Sequence, residues 1–231
     1  MGVTESATIP GASRAGRTRL KICGLRDPRQ AAAIAAMGVD AIGVVAVASS
    51  PRFLAVDDRL TLFAAARDAG EDLLGVLVTA DPQDRELSTL LPGHGHQVVQ
   101  LHGGESVERC HHLRRQLGPD IRIWKALRIR SREDLQRALA YAGAVDALLL
   151  DAWVPDQLGG TGQAIPLDWL KGFHPSLPWW LAGGLTPLTV APAIQACHPH
   201  GVDVSSGVED RPGWKNLERV RQLVEQVAAW R

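Results

Sequence analysis

The sequence predicts a single (β/α)8 barrel, the TIM-barrel fold, over residues 18–231, preceded by a short flexible extension over residues 1–17. Three observations point there. Eight short apolar runs alternate with longer alanine- and charge-rich segments over roughly 215 residues, a length that eight β/α units fill. Several runs are continuously apolar rather than alternating, as strands covered on both faces are. No G-x-G-x-x-G turn follows the first run, which argues against a dinucleotide-binding open sheet, and no composition break or linker marks a second domain.

Taken in order, the strands are RLKIC (19–23), AIGVVAV (41–47), LLGVLV (73–78), QVVQLH (97–102), IRIWKAL (121–127), DALLLD (146–151), WWLAG (179–183) and GVDVSS (201–206). Helical stretches fill the intervals, for example 27–38, 58–70 and 131–143, and about eight are expected in strict alternation with the strands. Asp27-Pro28, Asp81-Pro82 and Thr186-Pro187 read as helix openings, because proline fits the first turn. Ser131 reads as an N-cap followed by acids in the first turn, and Gly38, Gly70 and Gly143 read as helix stops. The helix after strand 6 is expected to be only a turn or two, and strand 8 is short.

Composition narrows the function. The chain has 231 residues, with 25 Lys+Arg against 25 Asp+Glu, so it has no basic surplus for a nucleic-acid backbone or an anionic membrane. No apolar run reaches the ~18 residues of a membrane span. Residues 1–17 lack the apolar core of a signal peptide. Three scattered cysteines, Cys23, Cys110 and Cys197, make no disulfide framework and fit a reducing, cytoplasmic setting. Most of the seven tryptophans, including Trp179-Trp180, read as packing residues. The Cys/His groups at 94–96, 110–112 and 197–200 have no metal-ligand spacing, and no metal site is expected.

A barrel carries its chemistry at the C-terminal ends of its strands. Cys23 ends strand 1, Arg52 lies in the loop after strand 2, His102 ends strand 4 and Asp151 ends strand 6. A lone cysteine is most simply a small packing residue, and a lone arginine a solvated one. Here a thiol, a guanidinium and an acid face one pocket. His102 reads as a core histidine or as a support for a site residue. Gly183-Gly184 and Ser205-Ser206-Gly207 follow strands 7 and 8, where barrel enzymes commonly bind phosphate; glycine lets backbone N–H groups approach an anion closely. Gly160, Thr161 and Gly162 form a third glycine-rich loop that wraps the same ligand or moves as a lid.

The stretches LKICGL, GVDAIG leading into SSPRFL, VVQLHG, LLLDAWVPDQLGGTG, LAGGLTP and GVDVSSGVED-RPGWKN occur in this order from about residue 19 to the C-terminus. Together they resemble the phosphoribosylanthranilate isomerase family of tryptophan biosynthesis. The resemblance implies a cofactor-free barrel. It also implies an Amadori rearrangement of N-(5-phosphoribosyl)anthranilate to 1-(2-carboxyphenylamino)-1-deoxyribulose 5-phosphate. It makes Cys23 the general base and Asp151 the general acid. It gives Arg52 the substrate carboxylate and the loops at Gly183, Gly184, Ser205, Ser206 and Gly207 the phosphate. The implied partner is a phosphorylated small molecule, with no nucleic acid and no membrane, and the protein is expected as a monomer or homodimer.

Two departures from the family pattern stand out. The stretch Val44 to Ser49 lacks the aromatic residues usual after the strand-2 glycine, and Ser49 replaces a lysine. Five residues rather than three separate GGTG from Asp168-Trp169. Two other readings compete. A related barrel acting on a ribonucleotide of histidine biosynthesis would carry an aspartate where Cys23 stands. A silent metabolite-binding barrel would need neither Cys23 nor Asp151.

Overall fold

A computed structural model describes residues 17–152 and 164–230. Eight parallel strands close in sequence order: β1 (Arg19–Cys23), β2 (Ala41–Val45), β3 (Leu74–Thr79), β4 (Val98–Leu101), β5 (Arg122–Ile129), β6 (Ala147–Ala152), β7 (Trp179–Leu181) and β8 (Gly201–Val204). Closure is made by β1 against β8, with Lys21 opposite Asp203 in register. The α-helices are α1 (Pro28–Ala35), α2 (Val56–Ala69), α3 (Val107–Leu117), α4 (Arg132–Ala138), α5 (Leu167–Leu170), α6 (Val190–Cys197) and α7 (Leu217–Ala228).

The continuous apolar runs follow from this geometry, because one face of each strand lies under helices and the other fills the barrel. Leu20 and Ile22 of β1 and Leu148 and Leu150 of β6 face the helix layer. Val76, Val98, Ala126, Leu149 and Trp180 belong to the separate cluster inside the barrel. Trp124 and Trp180 meet there with ring centroids 4.8 Å apart. Gly201 is required beside them: a Cβ would fall 2.4 Å from the Trp180 ring. Above the tryptophans the interior turns polar, with Lys21, Gln100 and Asp203 buried in one layer.

Some local expectations need correction. The β3–β4 connection holds a 3-10 helix, Asp84–Leu90, rather than an α-helix, so alternation is not strict. Pro92, Gly93 and Gly95 follow it, with positive φ at both glycines, and leave no room for a long helix. β7 and β8 end two residues earlier than expected, because the chain leaves the sheet at the glycine and serine loops. A hairpin, β9 (Glu209–Arg211) and β10 (Trp214–Lys215), stands between β8 and α7 and turns at Gly213 with φ +79°. Ser131 is the N-cap of α4 but its side chain makes no capping bond, whereas Asp27 caps α1 by accepting from the Gln30 amide. α5 has a single turn, as expected. Of the extension expected over residues 1–17, residues 1–16 lie outside the described residues; Arg17 pairs with Asp40 at the foot of the barrel.

Candidate active site

Strand alternation decides which side chains reach the barrel mouth. Counting in twos from the interior residues brings Cys23, Val45, Val78, Gln100, His102, Asp151, Ala182 and Asp203 to the inner face at the strand ends. All eight line one cleft of about 770 Å³, together with Arg52, Gly183, Gly184, Ser205, Ser206 and Gly207. The structure therefore gathers Cys23, Arg52, His102, Asp151 and both glycine loops into one site. Gly160, Thr161 and Gly162 lie outside the described residues.

Cys23 stands opposite Gly43 of β2, where a Cβ would come within 2.7 Å of the sulfur. Lys21, two residues back on the same face, sends its ammonium to Gln100 Oε1 and Asp203 Oδ2, each at 2.9 Å. Burial pushes the Cys23 thiol up; Lys21 pulls it back, Asp203 pushes it further and Lys215 pulls again, for a net rise. Burial also opposes the charge on Lys21, but Asp203 and Cys23 outweigh it and its pKa is raised. Lys21 thus remains a cation next to the thiol. Asp203 Oδ1 is buried at the edge of the cleft with no hydrogen-bond partner among the described residues.

Asp151 lies at the opposite side of the mouth. Gly183 packs on it, with φ +86° and a Cβ position 2.8 Å from Asp151 Oδ1. His102 Nε2 lies 3.4 Å from Asp151 Oδ2, and its Nδ1 faces Gln100 Nε2 at 3.3 Å. Because Gln100 Oε1 accepts from Lys21, its Nε2 is left to donate to Nδ1. Nδ1 is then the acceptor, and the buried Nε2 is directed at Asp151 without a hydrogen bond among the described residues. A line of polar side chains runs from Asp203 through Lys21, Gln100 and His102 to Asp151.

Arg52 is already gripped. Its Nε lies 2.9 Å from Glu209 Oε1 and its Nη2 2.6 Å from Glu209 Oε2. Gly24, with φ +79°, leaves the space that the Arg52 side chain fills. Glu209 Oε1 also accepts from Lys215 Nζ at 2.7 Å and from the Gly213 amide at 3.0 Å. Burial works against the Glu209 charge, but Arg52 and Lys215 outweigh it and its pKa is lowered.

The two glycine loops touch. A Cβ on Gly207 would fall 1.9 Å from the Leu185 carbonyl oxygen, so the loop after β8 rests directly on the loop after β7. The Ser205 hydroxyl donates to the Cys23 carbonyl at 3.0 Å, and Lys215 Nζ reaches Ser205 Oγ at 3.3 Å. The amides of Gly183, Gly184, Ser206 and Gly207 donate to no other group among the described residues.

Sequence reasoning missed Gln100, Asp203, Glu209 and Lys215. Gln100 and Asp203 were recoverable from the two-residue period of their strands. Glu209 and Lys215 were not, because they depend on the hairpin. Among the described residues no three His, Cys, Asp or Glu side chains group as metal ligands, and no helix is long and apolar enough to cross a membrane.

Known proteins resemble this chain over almost its whole length. The family profile described as N-(5'phosphoribosyl)anthranilate (PRA) isomerase matches residues 20–226, which include every candidate site residue. The N-(5'-phosphoribosyl)anthranilate isomerase of Trichormus variabilis is 43% identical over 211 residues, 91% of this chain and 99% of that protein. The protein of that name from Synechococcus sp. (strain JA-3-3Ab) is 46% identical over 217 residues, 92% of each chain. Among solved structures, phosphoribosyl anthranilate isomerase from Thermotoga maritima superposes with a TM-score of 0.81 at 28% identity, covering 92% of this chain and 99% of that one. A structure of the isomerase in complex with reduced 1-(o-carboxyphenylamino)-1-deoxyribulose 5-phosphate gives a TM-score of 0.75 at 27% identity over 92% and 99%. With the family profile matching residues 20–226 and relatives 43–46% identical over more than nine-tenths of its length, the chain belongs to the N-(5'-phosphoribosyl)anthranilate isomerase family.

Proposed function

We propose that this cleft carries out the family's Amadori rearrangement with Asp151 as general acid and Cys23 as general base. The observation that carries the assignment is their placement: both end inward-facing strand positions on one cleft that also holds Arg52 and two glycine loops. Asp151 gives a proton to the furanose ring oxygen, and the anthranilate nitrogen lone pair expels that oxygen as the C1–O bond breaks. The Cys23 thiolate then takes the proton from C2. The electron pair of that C–H bond becomes the C1–C2 double bond, and the iminium is neutralised. Protonation at C1 and loss of the C2 hydroxyl proton leave the ketone, so atoms balance without a co-reactant. The thiolate is the reacting form, and the Lys21 ammonium favours it.

Arg52 holds the anthranilate carboxylate, for which a planar fork is suited. The free amides of Gly183, Gly184, Ser206 and Gly207 take the phosphate of a phosphorylated substrate. The orphaned Asp203 Oδ1 accepts from a hydroxyl of the sugar, since a buried carboxylate oxygen is costly unpaired. Three free cysteines support a reducing, cytoplasmic location. Solved relatives support a protein that works as a monomer or a homodimer, since the Thermotoga maritima enzyme is described both as a dimer and as monomers generated from it.

Cys23→Ala and Asp151→Asn should each lower kcat by ~10²–10⁴ while the reduced product analogue still binds at near-parental affinity. A variant that kept more than about a tenth of the parental kcat would remove that residue from its role.

A further inference from the structure

We propose that Glu209, itself anchored by Lys215, is a positioning residue that fixes the Arg52 guanidinium by one edge so that a ligand carboxylate docks on the other. This rests on the reading of Arg52 as the carboxylate site and deepens it to a residue on the hairpin.

A guanidinium has five N–H donors in one plane. Glu209 engages the edge made by Nε and Nη2, at 2.9 and 2.6 Å. Both hydrogens of Nη1 and the second hydrogen of Nη2 donate to no other group among the described residues. One hydrogen of Nη1 and the second of Nη2 lie parallel and form the second edge, the one matched to an end-on carboxylate. The Arg52 side chain retains 12% exposure and lines the cleft, whereas Glu209 retains 4%. One partner is thus fixed in the protein and the other faces the ligand.

Glu209 cannot swing. Its Oε1 also receives the buried Lys215 ammonium and the Gly213 amide, and the positive φ of Gly213 turns the hairpin that brings them there. Two cations share one carboxylate, so the cluster carries one net positive charge that an incoming anion offsets. Holding Arg52 beforehand also removes the rotamer entropy that a free arginine would lose on binding. The gain falls on the carboxylate alone.

The test uses two ligands that differ only there: the reduced product analogue and its counterpart with phenyl in place of 2-carboxyphenyl. The dissociation constant of the phenyl ligand divided by that of the carboxyphenyl analogue measures the carboxylate contact and cancels every contribution of sugar, phosphate and global stability. Glu209→Gln should lower that ratio about tenfold, and inhibition by inorganic phosphate should stay within about twofold of the parent. Glu209→Gln combined with Lys215→Met removes the ammonium that has lost its counter-charge. It guards against a variant that fails to fold, and the ratio should fall there too. An unchanged ratio, or equal weakening of both ligands, overturns the proposal. Arg52→Ala separates the two claims. If it keeps the ratio, Arg52 is not the carboxylate site; if it loses the ratio while Glu209→Gln keeps it, only the role of Glu209 fails.

Discussion

At Cys23 opposing influences meet. Burial raises the thiol, Lys21 on its own strand and Lys215 on the hairpin lower it, and Asp203 on β8 raises it. In the proposed mechanism the thiolate is the base, so kcat/KM should rise with pH through the Cys23 ionisation. Lys21→Met removes the largest influence holding the pKa down and leaves only Lys215 against burial and Asp203. The acid limb should move to higher pH, and kcat/KM at neutral pH should fall roughly tenfold or more. Asp203→Asn removes a neighbouring negative charge and frees Lys21 for the sulfur, so the limb should move to lower pH. If both variants moved the limb the same way, the balance drawn around the thiol would be wrong. The strand-end placement of Cys23 and Asp151 was legible in the sequence, since each closes an expected strand. The pairing of Lys21 with Asp203 was not, because it arises from register between the first strand and the last.

Among the elements, the strands were the most legible and the connections the least. Continuous apolar runs mark β2 and β3, and β1 begins and ends where expected although Arg19 and Lys21 interrupt its apolar residues. The β3–β4 connection has no such constraint: its charged residues suit a helix, but the proline and glycines beyond it cut the helix to a 3-10 turn. The β9–β10 hairpin is short and polar, and its worth comes from contacts with Arg52 and Ser205 that no local pattern reports. The glycine loops were legible as loops, but not their contact with each other. That contact gives a prediction. A methyl on Gly207 must displace the Leu185 carbonyl and part the two loops. Gly207→Ala should therefore weaken inhibition by inorganic phosphate by about tenfold or more, whereas Asp151→Asn should leave it intact. Equal phosphate inhibition in Gly207→Ala and parent would move the phosphate away from these amides.

At the scale of the whole molecule, the closed barrel explains why the family match starts at residue 20. The first strand must pair with both β2 and β8, and nothing before it is needed to complete the sheet. The chain ahead of β1 enters at the foot, where the Thr18 amide donates to the Trp230 carbonyl and Arg17 pairs with Asp40. The Arg17 side chain is 30% exposed, so solvent screens the pair and it is worth at most about 1 kcal/mol. For a domain of this size that corresponds to roughly 2–4 °C in Tm. Residues 1–16 have no apolar periodicity with which to cover a core. Deleting them should leave Tm within about 1 °C of the parent and kcat/KM unchanged, because every proposed site residue stands at the mouth opposite Arg17, where the described chain begins. Extending the deletion through Arg17 should lower Tm by no more than those few degrees, again with unchanged kcat/KM. A larger drop from the shorter deletion would show that the extension packs on the barrel. A loss of activity at constant Tm would show that it reaches the cleft.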